Sequence, residues 1–162
     1  TYFCATFRKI NMQNQLHKLN DSERQQLLNA PVLITLLIAG ADGKIDEREL
    51  DWATRVTHFR KETAHFTLHY FYEIVGENFN EKLKNAIGNY PADTQARKSQ
   101  LIAEIAQINP ILAKLDEHYR EKLVESFRSL AEQVAEGSGG IMGFFSTSKE
   151  ESSLMKLEMI EF

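Results

Sequence analysis

Acidic side chains near residue 42 have a type and spacing that could hold a metal ion. In an EF-hand calcium loop, oxygen ligands, a glycine, an aliphatic residue and a final bidentate glutamate follow in a fixed order. The residues that match the second half of that order are Asp42, Gly43, Ile45, Asp46 and Glu49. The first and third loop positions would be Ile38 and Gly40, which carry no side-chain oxygen. The segment alone therefore does not predict a self-contained calcium loop.

A second segment, near the end of the sequence, repeats this order of residue types. Glu136 is followed by a glycine-rich connector, by Ser148 as a candidate helix cap, and by Glu151 inside the next predicted helix. If the two corners face each other, their carboxylates converge and repel unless they take up a proton or a cation. An all-oxygen donor set suits calcium, magnesium or manganese. We therefore predict a divalent-cation site formed by Asp42, Glu49 and Glu151, with Glu136 as the fourth member.

The same residues also allow an interpretation without metal. Asp42-Gly43 is a turn signal, and Asp46 with Glu49 forms a complete capping box. In that case the acidic residues only end one helix and begin the next. The chain would then be a protein-protein interaction scaffold, with the aromatic segment 64–75 or the loop around Phe144 and Phe145 as its contact surface.

The other residues with reactive or metal-binding side chains do not form a convincing active site. His65 and His69 have the spacing of metal ligands on one helix face, but Phe66 replaces the glutamate of the metalloprotease pattern. Cys4 has no evident base beside it, and the glycine-rich stretch 137–143 lacks the Gly-Lys-Ser/Thr sequence of a phosphate-binding loop. Without a nucleophile, oxyanion donors or a substrate pocket, we predict that the chain is not an enzyme.

Helices are the elements that must position these residues. The 162 residues include only three prolines and eight glycines, and alternating β-branched patterns are absent. We predict an all-α, compact, single-domain bundle of about eight helices in residues 19–162, preceded by an N-terminal extension in residues 1–18. Predicted helix starts lie near Asp21 or Ser22, at Pro31, after Asp46, near Ala64, at Asn78 or Asn80, after Asp93 and after Ser148. An apolar stripe from Ile111 to Val134 predicts the longest helix, without interruption.

Composition narrows the class of partner. The formal net charge is -4, and no basic stripe of the kind that binds nucleic acid is present. The single cysteine excludes an intramolecular disulfide and favours a reducing compartment. The longest apolar run, 31–41, is too short for a membrane span, which needs about 20 residues. We expect a cytoplasmic protein with a protein partner, and peripheral association with a membrane stays open.

The two corners also carry a family resemblance. The run from Leu36 to Gly43 followed by Glu49, together with the late loop that ends at Glu151, resembles the TerB-like family of tellurite-resistance-related proteins over about residues 19–160. The resemblance implies a helical bundle in a bacterial cytoplasm, a stress-response setting and metal chelation by the acidic corners. By position, the family's acidic residues fall on Asp42, Glu49 and Glu151, while Glu136 lies where residue type and spacing vary. Tellurite resistance itself does not follow from the resemblance.

Overall fold

All regular structure in the described part of the chain is helical. The computed structural model describes residues 15–41, 45, 47–137 and 149–161. Its helices are α1 (Asp21–Ala39), α2 (Glu47–Thr63), a 3-10 helix (Phe66–Leu68), α3 (His69–Glu77), α4 (Phe79–Ile87), α5 (Thr94–Ala106), α6 (Asn109–Leu112), α7 (Glu117–Gly137) and α8 (Lys149–Met155). The predicted all-α bundle of about eight helices is confirmed. No helix in these ranges is both long enough and apolar enough to cross a membrane.

Helix α1 forms the centre of the bundle. It begins with a capping box, in which the Asn20 side chain accepts from the Glu23 N–H (2.8 Å) and the Glu23 carboxylate accepts from the Asn20 N–H (3.1 Å). From Ala30 to Ala39 every residue is buried. The helix contacts α2, α3, α4, α5 and α7, so its apolar second half is covered on all sides.

The predicted helix start at Pro31 is wrong. Pro31 lies inside the single helix α1 and is itself buried. An interior proline loses one backbone hydrogen bond and costs about 3 kcal/mol in an exposed helix. The continuous burial of its neighbours offsets that cost here, because each fully buried aliphatic side chain contributes about 1.5–3 kcal/mol.

The predicted uninterrupted helix from Ile111 to Val134 is also wrong. The chain makes the short helix α6, turns at residues 113–116, and begins α7 at Glu117. Backbone hydrogen bonds between residues three apart, rather than four, close the turn. They run from Lys114 N–H to Ile111 O (3.1 Å) and from Leu115 N–H to Leu112 O (3.1 Å). The buried residues keep their helical spacing across the turn, which is why periodicity alone did not show the break.

The aromatic segment 64–75 folds in two pieces. The His65 side chain caps the 3-10 helix by accepting from the Thr67 N–H, and the α-helix begins only at His69. Phe71 and Tyr72 of α3 are fully buried, and the Phe71 ring packs against Phe127 of α7 with 6.0 Å between centroids. The aromatic side chains in this part of the sequence therefore mostly fill the core.

Residues 15–18 pack against the helical domain, although the sequence predicted that they belong to an N-terminal extension. Leu16 is buried, and Gln15 accepts from the backbone N–H of Asp116 (3.0 Å). Lys18 forms an ion pair with the Asp116 carboxylate. These contacts attach the residues before α1 to the turn before α7.

Candidate functional site

The first acidic corner lies between the end of α1 and the start of α2. Gly40 caps α1, and a Cβ at this position would lie 2.8 Å from Leu36 O and 3.2 Å from Ile45 Cδ1. The Gly40 carbonyl also accepts from Arg97 Nη2 of α5 at 3.0 Å. Only glycine fits this approach without displacing neighbours. The corner is thus held against both α1 and α5.

Glu49 lies in the first turn of α2 with 7% of its surface exposed. Glu47 in the same turn is exposed. Negative side chains are favoured at a helix N-terminus by the helix dipole, which accounts for both residues in this turn. Burial of a carboxylate also requires polar or charged partners, and Glu49 takes part in at least one such interaction.

The second acidic corner is the end of α7. Helix α7 ends at Gly137, and Glu136 beside it is exposed. Its last turn contains no basic residue. The last four carbonyl groups of a helix lack partners within the helix, and this end carries the negative pole of the helix dipole. A cation is therefore favoured at this end of α7.

The two helix ends are in direct contact through Trp52 and Gly137. Trp52 Nε1 donates to the backbone carbonyl of Gln133 on α7 at 2.8 Å. A Cβ on Gly137 would lie 1.8 Å from Trp52 Cδ1, so the indole occupies the space that a side chain would need. Trp52 follows Glu49 by three residues, which is nearly one helical turn. The start of α2 and the end of α7 therefore form one surface.

The structure places two of the four predicted ligands. Glu49 and Glu136 lie at the helix ends that Trp52 and Gly137 join, and α8, which contains position 151, packs against α7. Asp42 and the Glu151 side chain lie outside the described residues, as do the predicted caps Asp46 and Ser148. Within the described part, no group of three or more His, Cys, Asp or Glu side chains is arranged to hold a metal ion. The carboxylates that the two corners contribute fit a hard, oxygen-preferring cation in donor type.

The two histidines are engaged in local contacts rather than presented as a pair on one helix. His65 Nδ1 lies 2.9 Å from Thr67 Oγ1 and accepts from the Thr67 N–H. His69 Nε2 lies 2.8 Å from the backbone carbonyl of Ala64. Burial, followed by the positive charge of Lys122, lowers the pKa of His65 below its ordinary value of 6.5.

Arg60 is a buried charge that the sequence analysis did not single out. It lies in the last turn of α2 and is 5% exposed. Its Nη1 donates to Ser126 O and Ser126 Oγ (3.1 and 3.0 Å), and its Nη2 donates to Ser129 Oγ and Gln133 Oε1 (3.2 and 2.6 Å). A basic residue in the last turn of a helix is ordinary, so no sequence signal distinguished it.

Comparisons with protein-family models, with curated proteins and with solved structures find no match for this chain. The resemblance to the TerB-like family stays a prediction.

Proposed function

We propose that this chain is a non-enzymatic, TerB-like helical module that binds a divalent cation through its two acidic corners. The cation is calcium, magnesium or manganese, since every predicted ligand is a carboxylate. By family resemblance, its setting is a stress-response system in a bacterial cytoplasm, where the module serves a protein partner.

The proposal rests on one contact, that between Trp52 and Gly137. A shared cation requires the start of α2 and the end of α7 to lie together, and this contact supports that arrangement. Ligands from two helix ends more than 80 residues apart in sequence can share one cation only if packing brings those ends into contact.

The burial of Glu49 and the charge at the end of α7 favour the same function. A carboxylate with 7% exposure gains from a nearby cation, because Coulomb interactions are stronger where water is excluded. The helix end that carries Glu136 adds backbone oxygens and a negative dipole, and its own last turn contains no basic residue.

Titration calorimetry on the chelator-stripped chain tests the proposal. We expect saturable binding of calcium, magnesium or manganese by the original chain, and affinity at least about tenfold weaker after Glu49→Gln or Asp42→Asn, because each substitution removes one charged ligand. Glu47→Gln is the matched control, since it removes the same charge from an exposed position in the same helix turn and should leave the affinity nearly unchanged.

An alternative function is a protein-contact scaffold in which the acidic residues only cap helices. The observation that favours it is the exposure of Trp52, Phe59 and Phe66, at 40%, 59% and 46%. Absence of heat with every cation, or equal losses in Glu49→Gln and Glu47→Gln, would reject the cation site and leave this scaffold as the better account.

A further inference from the structure

A cavity of about 290 Å³ lies beside the buried Arg60, on the opposite end of α2 from the acidic corner. Residues from the end of α2, from the connection to α3 and from α7 line it. Ala64 and Leu68 supply the apolar wall, and the charged and hydrogen-bonding lining residues are Arg60, Thr63, His65, Lys122, Glu125, Ser126, Ser129 and Gln133. The volume is at the lower end of small-molecule sites.

Arg60 has no carboxylate partner among the described residues. Its hydrogen bonds go to neutral oxygens of Ser126, Ser129 and Gln133, and its Nε, which is buried, has no acceptor there. The Tyr72 ring lies 5.7 Å from the guanidinium carbon. Buried charges in proteins are almost always paired with an opposite charge, so Arg60 is unusual in being held by dipoles and one aromatic face.

The neighbouring titratable groups do not compensate this charge. Burial raises the pKa of Tyr72 above its ordinary value of 10.0, so its phenol is neutral near pH 7. Glu125, which also lines the cavity, forms an ion pair with Lys122 at 2.9 Å, and these two charges cancel. His65 is neutral near pH 7 because its pKa is lowered. The positive charge of Arg60 is therefore not compensated by these neighbouring groups.

The hydroxyl and amide groups around Arg60 can also donate. Ser129 and Gln133 accept from Arg60 through their oxygens, which leaves the Ser129 O–H and the Gln133 side-chain N–H groups as donors beside the guanidinium. Since the Nη groups of Arg60 already donate to Ser126, Ser129 and Gln133, an oxyanion here would accept from the two neutral donors and be attracted by the guanidinium charge behind them.

We propose that the Arg60 cavity binds a small organic carboxylate. One uncompensated positive charge matches a single negative charge, whereas the phosphate dianion would bring one charge too many. The apolar wall of Ala64 and Leu68 suits the carbon part of such a ligand.

Titration of the isotope-labelled chain with sodium acetate, butyrate or phosphate, at an ionic strength held constant with sodium chloride, tests this proposal. We expect saturable shifts of the amide signals of Arg60, Ser129 and Gln133 with both carboxylates. Butyrate should bind about fourfold more tightly for each methylene that it buries. Phosphate should bind more weakly than either.

Two variants separate a ligand site from a purely structural arginine. Gln133→Glu places a carboxylate where Gln133 Oε1 now lies, 2.6 Å from Arg60 Nη2, and should raise the thermal midpoint while it abolishes carboxylate binding. Arg60→Gln should also abolish binding, and Arg55→Gln, an exposed residue of the same helix, should not.

The proposal is overturned if chloride alone produces the same shifts, if the original chain shows no saturable shift with either carboxylate, or if the shifts persist in Gln133→Glu. Gln133→Glu adds a counter-ion and leaves Arg60 in place. Its effect on carboxylate binding therefore remains informative even if Arg60→Gln does not fold.

Discussion

Gly137 and Trp52 approach each other more closely than any side chain at position 137 would permit. The space that the Trp52 indole occupies is evident only from the packing, because the two residues are 85 positions apart in the sequence. The sequence indicated a glycine-rich connector after Glu136, and α7 does end at Gly137. No sequence pattern paired this position with Trp52.

Substitution of Gly137 tests this contact. Gly137→Ala would place Cβ 1.8 Å from Trp52 Cδ1, so the indole must move and lose its hydrogen bond to Gln133 O. We expect the free energy of unfolding to fall by about 1–3 kcal/mol, the usual cost of overpacking, as measured by urea denaturation.

Gly76→Ala is the matched control for that substitution. A Cβ at Gly76, within α3, meets no atom within 4 Å. Since alanine reduces the entropy of the unfolded chain, we expect a gain of about 0.4–1 kcal/mol. Equal effects of the two substitutions would show that the indole does not occupy the space beside Gly137.

Arg60 illustrates the limit of prediction at the scale of one residue. It lies in the last turn of α2, where basic residues are common. Its burial and its partners Ser126, Ser129 and Gln133 depend on the packing of α2 against α7, which joins residues 66 to 73 positions apart. No local pattern encodes such a distance.

At the scale of the elements, the cap of α5 was predicted correctly, whereas the cap of α1 is Asn20 rather than Asp21 or Ser22 and two helix boundaries were predicted wrongly. The Asp93 side chain accepts from the Ala96 N–H at 2.8 Å and begins α5 at the predicted place. By contrast, Pro31 does not begin a helix, and the stripe from Ile111 to Val134 is divided by a turn. Both errors have one cause, since tertiary burial can override a local signal and leaves the apolar spacing unchanged.

The start of α1 should make stability depend on pH. The Lys114 side chain, and then the Asn20 N–H, hold the pKa of Glu23 below its ordinary value of 4.5. A carboxylate whose pKa is lower in the folded state stabilises it above the unfolded pKa, and this contribution is lost as pH falls through the folded value. We therefore expect Glu23→Gln to destabilise the chain at pH 7 and to do so progressively less below pH 4.5.

Denaturation of both chains between pH 3 and pH 7 measures this difference. The control is a double-mutant cycle with Lys114→Met, in which Glu23→Gln should have a smaller effect, because the first-named cause of the pKa shift is gone. A difference between the chains that does not vary with pH would contradict the role of the Glu23–Lys114 pair.

At the scale of the whole molecule, the two ends of α2 face different chemistry. One end carries the buried carboxylate of Glu49 beside the end of α7, and the other carries the buried guanidinium of Arg60 against the middle of the same helix. Sequence predicted the acidic corners and their residue types. It could not predict that α2 and α7 pack so that both sites lie along one helix pair.

The most direct test of the cation proposal is to measure which amide signals broaden when less than one equivalent of Mn²⁺ is added to the isotope-labelled chain. Broadening by this paramagnetic ion falls steeply with distance. We predict that the amides of Glu49 and Glu136 and the Trp52 indole broaden together, while the amide of Asn20, at the far end of α1, stays sharp. Broadening at one corner only, or equal broadening at exposed carboxylates far from both corners, such as Glu117 at the opposite end of α7, would contradict a single cation shared by the two corners.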